Sequence, residues 1–362
     1  MRSLQQFKRL AILVVAWTMA MSLYVSFRYS QSLTLPQWAV GESDLYTLTV
    51  FMGVIFGCLH WLSNLISEVT FIRRMPYTFI VLFKGVFLLI GATTIAYVSQ
   101  LLTMWALSNH VVSLRQMLTM QIVYSPSFQG LILYLVFVRL GIAFVEQMTL
   151  LMGRRMLLNI GLGKYHRPRY ENRVFLFVDM VASTAHAESL GDYRFSRLIQ
   201  DSFEVLSDVA ARHDAEIYRF MGDAALISWT IEDGAQEQRC LRLYFDFMQQ
   251  LNWQRAGFEK YYGFLPRFKA AAHCGQVVVA VVGVNKQEIS YFSDVLNTLA
   301  RLQDQCTPLG QNMLISGELK SQLYETNDLH YEEMGPIMLK GKQNPIEVYG
   351  VETRYASSAS KA

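Results

Sequence analysis

The sequence predicts a two-part chain: an α-helical transmembrane bundle of about four spans, then an α+β domain with a ferredoxin-like layout. Two observations predict it. The first half of the 362 residues carries four long apolar runs, and the second half alternates strand-like and helix-like segments. Hydrophobic residues make up 52% of the chain, high for a wholly soluble protein, and the excess lies in the first half. The length fits about two or three domains.

Residues 10–27, 45–66, 77–102 and 128–151 are the apolar runs. Each approaches the roughly 20 residues a bilayer-crossing helix needs. Lys84 interrupts the third, and Arg139 and Glu146 lie in the fourth. Charges at such depth are costly and tend to be paired or functional. A Lys84–Glu146 pair is one expectation; Lys84 reaching the interface, with Arg139 and Glu146 on a dimer seam or at the cytoplasmic interface, is the other. His60 is expected as a polar contact facing the bundle. Residues 103–127 suggest an amphipathic segment at the outer interface. Arg2, Lys8, Arg9, Arg73, Arg74, Arg154, Arg155, Lys164, Arg167 and Arg169 gather in alternate loops. By the positive-inside rule the N-terminus and the second half face the cytoplasm of a cell membrane.

The transmembrane domain is expected over 1–139 and a coupling helix with linker over 140–169. Apolar residues at Phe144, Met148, Leu151, Met152, Met156 and Ile160 keep a helical period. The expectation is one continuous helix over 140–160 that pairs with a second copy.

The third region, 170–353, reads as strand 172–180, a helix to 211, a hairpin of 216–220 and 224–229, a helix over 236–254, an apolar strand 268–282 with Gly275 marking a turn, helix 294–305, and strands 313–315 and 346–351. That order predicts helices on one face of an antiparallel sheet. Residues 354–362 are small and polar and are expected to be disordered.

Asp179 closes the run Val174-Phe175-Leu176-Phe177-Val178, and Asp223 follows Gly222 at the hairpin tip. Two carboxylates on adjacent strands suit a hard divalent ion. Asn297 and Arg301 lie one helical turn apart, a spacing that puts an amide and a guanidinium on one face to hold a sugar and a phosphate. Leu339-Lys340-Gly341-Lys342 follows. The net charge of +3 carries no nucleic-acid signal. The four cysteines, Cys58, Cys240, Cys274 and Cys306, have no zinc-type spacing.

Phe-x-Asp at 177–179, Gly222-Asp223, Asn297 with Arg301, and Leu339-Lys340-Gly341 stand in the order and spacing of one family. The half from about 170 to 352 resembles the catalytic domain of class III adenylate/guanylate cyclases. The resemblance implies two Mg²⁺ or Mn²⁺ ions per site, held by Asp179 and Asp223 with the Met180 carbonyl. It implies that Val181, Ala182, Ser183 and Thr184 turn backbone amides to the triphosphate, although Ala182 and Ser183 stand where the family usually has Gly and Phe. Asn297 would hold the ribose, Arg301 the α-phosphate, and Lys340, in preference to Lys342, the terminal phosphates. Arg219 and Ser290 occupy the base-reading positions. Arg219 is a donor only, which suits adenine N1, and Ser290 can accept from the adenine amino group. The resemblance therefore implies an adenylate cyclase acting on ATP as a homodimer whose two copies share each site. The alternatives are a guanylate cyclase and a catalytically weak cyclase-like membrane sensor. The membrane half would respond to a signal that the sequence does not name.

Overall fold

The computed structural model describes residues 2–31, 42–67, 77–107, 126–285, 287–324 and 328–353. Most of the interfacial segment expected at 103–127, and the tail at 354–362, lie outside the described residues. The chain forms two compact units, Met1–Leu151 and Met152–Ala362.

Four helices build the first unit: α1 (Arg2–Gln31), α2 (Glu42–Ser67), α3 (Tyr77–Leu107) and α4 (Pro126–Met152). Three stretches, Arg9–Phe27, Thr49–Ser67 and Gln129–Thr149, are long and apolar enough to cross a membrane, by length and composition. The third expected span is represented in α3 by the shorter apolar stretch Leu82–Ile95. Trp17, Met21, Phe56, Leu88 and Leu135 form a buried centre to which all four helices contribute. Close approach of α1 and α2 rests on two glycines. A Cβ on Gly53 would lie 2.5 Å from Thr18 Cα, and one on Gly57 2.6 Å from Val14 Cα. Small residues four apart let helices in lipid gain van der Waals contact along their backbones. Gly57→Val is therefore expected to force α1 off α2, read as a fall of several degrees in the thermal midpoint of the detergent-solubilised protein.

A polar network lies within this unit. Trp17 Nε1 donates to His60 Nδ1 at 3.1 Å, and His60 Nε2 lies 3.2 Å from Glu146 Oε1. Asn64 Nδ2 donates to the same oxygen at 3.3 Å, and Arg139 Nη1 stands 3.6 Å from Glu146 Oε2. Indole N–H is only a donor, so Nδ1 accepts and the His60 proton sits on Nε2, facing the carboxylate. Glu146 is thus held by His60, Asn64 and Arg139 rather than by the expected Lys84. His60 is fully buried, as the sequence suggested.

The continuous helix expected over 140–160 is interrupted. Helix α4 ends at Met152, Gly153 takes φ 80° and ψ 148°, and α5 runs over Arg154–Gly161. A positive φ at this point is open to glycine at little cost.

The second unit is built on an eight-stranded sheet. Its strands are β1 (Arg169–Met180), β2 (Glu216–Met221), β3 (Ala224–Thr230), β4 (Phe268–Val282), β5 (Glu288–Phe292), β6 (Met313–Ser316), β7 (Leu329–Ile337) and β8 (Ile346–Thr353). They run in the order β2-β3-β1-β4-β6-β8-β7, with β5 paired to β4. The sheet is mixed rather than antiparallel, because β4 and β6 pair in parallel. Nor do the helices share one face. Alternate β1 side chains Val174, Leu176 and Val178 join a core with α7 (Asp192–Arg212) and α9 (Arg239–Trp253). Phe175 and Phe177, on the other face, pack with α11 (Asp294–Asp304). A strand buried on both sides reads as a continuous apolar run, so its sequence gives no face preference.

Gly275 marks no turn, because β4 runs straight through it. A Cβ there would come within 2.6 Å of Val295 Cγ2, so the glycine makes room for α11. β5 and β7 were not anticipated. Both are short on apolar alternation: β7 buries only Leu329, and β5 buries only Ile289.

Candidate active site

β1 carries Asp179 to the rim of the sheet. Its neighbour β3 starts at Ala224, which pairs with Asp179. Gly222 (φ 63°) and Asp223 form the two-residue loop between β2 and β3, and the Met180 N–H donates to the Asp223 carbonyl at 3.3 Å. The hairpin thus brings the two aspartates together. Burial, and then the Asp223 charge, push the Asp179 carboxyl above its usual range. Gln303 Nε2 donates to Asp179 Oδ2 at 2.8 Å, and Lys269 Nζ lies 3.7 Å from the same oxygen. These two partners oppose the upward shift.

Two neighbouring carboxylates whose like-charge cost Gln303 and Lys269 only partly relieve fit a hard divalent cation. Among the described residues no cluster of three or more His, Cys, Asp or Glu side chains is placed to hold a metal. A magnesium-type ion needs only one or two carboxylates, completing its shell with water and phosphate.

After Met180 the chain turns into α6 (Ser183–Leu190) through Ala182, at φ 56° and ψ 35°. No side chain caps this helix, so its first amides lack a partner within the helix and are open to an anion. The Val181 N–H is committed elsewhere, to the Arg267 carbonyl at 2.9 Å. Ala182 sits in a left-handed conformation that costs a Cβ-bearing residue about 1 kcal/mol. Ala182→Gly is expected to raise the thermal midpoint by roughly 2–4 °C in a unit of this size, measured by differential scanning calorimetry.

Helix α11 begins at Ser293, whose Oγ accepts from the Val295 N–H at 3.2 Å and donates to the Gln276 carbonyl at 2.9 Å. That start fixes the helix phase. Val295, Leu299 and Leu302 face the sheet, with Gln303 buried beside them. Asn297 is exposed and Arg301 half-buried. Gln303 is two residues past Arg301, about 200° round the helix, so the guanidinium points away from the Asp179 that Gln303 holds. The Arg301 guanidinium instead lies over Gly341 (φ 73°), with Nη2 3.3 Å from where a Cβ would stand. Arg301 and the Lys340-Gly341-Lys342 turn are thereby brought together. Lys342 is ion-paired with Asp294, and Lys340 is exposed.

Arg219 and Ser290, the positions expected to read the base, lie on β2 and β5. Arg219 Nη2 donates to Glu288 Oε2 at 2.6 Å, and the Tyr218 hydroxyl donates to the Ile289 carbonyl at 3.0 Å. Ser290 stands on β5 opposite Ala280.

Sequence reasoning missed Gln303, Lys269 and Glu288. Gln303 had a signal, as a polar residue in phase with the apolar face of α11. Lys269 and Glu288 are ordinary surface-type residues whose partners only the strand pairing supplies.

The family model for the Adenylate and Guanylate cyclase catalytic domain matches residues 165–353, just over half of the chain. The chain belongs to this family. Adenylate cyclase 2 of Rhizobium meliloti (strain 1021) is 36% identical to the cyclase chain over 207 residues, which are 57% of each protein. Adenylate cyclase 1 of the same organism is 25% identical over 186 residues, 49% of this chain and 27% of that protein. The chain thus spans well under two thirds of the length of either relative. A solved bacterial light-regulated adenylyl cyclase superposes with a TM-score of 0.52 at 20% identity, covering 63% of this chain and 66% of the other. That likeness is one of fold.

Proposed function

We propose that the chain is a membrane-anchored adenylate cyclase that converts ATP to 3′,5′-cyclic AMP and pyrophosphate at a homodimer interface. The observation that carries the reading is the Asp179–Asp223 pair at the sheet rim, beside the uncapped start of α6. In this reading residues 1–139 are the transmembrane domain, 140–169 the coupling segment and 170–353 the catalytic domain, which faces the cytoplasm.

Asp179 and Asp223, with the Met180 carbonyl, would hold two Mg²⁺ or Mn²⁺ ions. Such ions acidify the ribose 3′-hydroxyl and neutralise the leaving pyrophosphate. The protein's own residues then position and stabilise. Amides of Ala182, Ser183 and Thr184 cradle the phosphates, Asn297 orients the ribose, and Arg301 meets the charge that grows on the α-phosphate. Lys340 pairs with the terminal phosphates. Ring closure joins the 3′-oxygen to the α-phosphorus and releases pyrophosphate. Because Arg301 faces away from its own Asp179, one complete site takes Asp179 and Asp223 from one copy and Asn297 and Arg301 from the other. A two-fold interface gives two such sites.

Arg219 and Ser290 favour adenine. One observation favours a second reading. Glu288, 2.6 Å from Arg219, sets a carboxylate acceptor at the same place, and guanine N1–H needs an acceptor. Purified protein supplied with Mn²⁺ and equal ATP and GTP decides between them by product. Cyclic AMP is expected to dominate. Cyclic GTP-derived product in excess selects the second reading, and absence of both from a metal-binding dimer overturns both.

A further inference from the structure

The linker before β1 is tied by a buried polar chain to the two strands that carry the base-reading residues. Tyr165 is 4% exposed, and its hydroxyl donates to Glu171 Oε1 at 3.0 Å. Burial, then Glu171, push that phenol well above its usual range, so it remains a donor. Asn159 Nδ2 donates to the same hydroxyl at 3.1 Å, and Lys164 Nζ lies 2.8 Å from Glu171 Oε1. Glu171 Oε2 accepts from Arg173 Nη1 at 3.0 Å. Arg173 Nη2 reaches Glu216 on β2 at 2.5 Å and Ser228 on β3 at 2.9 Å.

The guanidinium stacks on Tyr291, 5.2 Å from the ring centre. Tyr291 meets the Tyr218 ring edge-on at 4.7 Å. Tyr291 directly follows Ser290, and Tyr218 directly precedes Arg219. On β5 alternation puts Tyr291 on the face of buried Ile289 and Ser290 on the other. On β2 the register shifts between Ile217 and Arg219, and the Arg219 guanidinium lies 5.5 Å from the Tyr218 ring centre, so the ring touches that residue directly. A guanidinium fork holds its partners in one plane. A shift of the linker that moves Glu171 must turn that plane, and the plane rests on the ring beside Ser290.

We propose that Tyr165 is a positioning residue for base selection, acting through Glu171, Arg173 and Tyr291 on Ser290 and Arg219. The proposal rests on the cyclase reading above. It makes the linker's conformation a determinant of how well the site grips its nucleotide.

The test uses the full-length protein in detergent with Mn²⁺, comparing wild type with Tyr165→Phe, which keeps the ring and loses the hydroxyl, and with Glu171→Gln. The expected result for Tyr165→Phe is a change of roughly three- to tenfold in the ATP-to-GTP ratio of kcat/KM, the scale of one ordinary net hydrogen bond. KM should carry most of it, with the thermal midpoint within about 2 °C of wild type. Amide hydrogen exchange should quicken at residues 216–221 and 288–292 and stay unchanged at 239–253. An unchanged selectivity ratio overturns the proposal even if exchange quickens, because Tyr165 is then a structural contact alone. Unchanged exchange at 288–292 overturns it too. A wild type that turns over neither nucleotide defeats the cyclase reading instead, and the exchange measurement then decides the linkage by itself.

Discussion

Asp179→Asn is expected to abolish cyclic-nucleotide formation while leaving the metal-free protein as stable as wild type, or more so. Removing a group that stabilises developing charge costs about 10²–10³-fold in turnover, and loss of an ion ligand is expected to reach at least that. Stability moves the other way for a specific reason. Asp179 is raised above its ordinary carboxyl range by burial and by Asp223. A carboxyl whose folded pKa is raised destabilises the fold at pH values above that pKa, and the penalty vanishes as pH falls below the unfolded value. Asparagine removes the charge at all pH values and still offers an oxygen to Gln303. Thermal scans in chelator should therefore place Asp179→Asn at or above the wild-type midpoint at neutral pH, with the gap closing on acidification. Mn²⁺ should raise the wild-type midpoint and leave the variant's unmoved. A variant that melts several degrees lower in chelator would refute the charge penalty at Asp179, and a wild type indifferent to Mn²⁺ would show that the pair holds no ion.

Mixing two inactive variants is expected to restore activity. Arg301→Ala should lose about 10²–10³-fold in kcat, since the guanidinium is assigned to charge present in the transition state. If each site draws Asp179 from one copy and Arg301 from the other, a mixed dimer of Asp179→Asn with Arg301→Ala has one site with both defects and one with neither. Random re-pairing then gives about a quarter of the wild-type activity, from the symmetry of a two-fold interface. The measurement is cyclic AMP production after co-expression, against each variant alone. No recovery in a confirmed mixed dimer would place both residues in the same subunit's site.

The proposed catalytic residues could be singled out in the sequence because they lie at element edges with strong local signals. Asp179 closes an apolar run, Asp223 follows the glycine of a two-residue hairpin, and Asn297 and Arg301 share one helical turn. Ala182 was legible as a departure from the family pattern, and its φ of 56° gives the physical reason glycine is favoured there. The faces of the sheet were not legible, since β1 is apolar on both sides. The parallel β4–β6 pair was hidden because a ladder joins residues more than forty positions apart. Gly275 was misread as a turn because a glycine that admits Val295 looks the same in sequence as one that bends the chain. The unbroken helix over 140–160 failed at Gly153, where one backbone angle outweighed a regular apolar period.

By itself, then, the sequence determined the two-part organisation, the order of the strands and helices around Asp179, Asp223, Asn297 and Arg301, and the identity of the acidic and basic groups. Those follow from hydropathy length, local periodicity and turn residues, all properties of neighbours along the chain. Only the tertiary structure decided that Gln303 and Lys269 hold Asp179, that Glu288 holds Arg219, that Glu146 meets His60 and Arg139, and that Tyr165 meets Glu171. Most of these partnerships join residues far apart in the chain, and all are set by strand register and helix phase. A single-residue slip of a strand would turn its side chains to the opposite face and undo them.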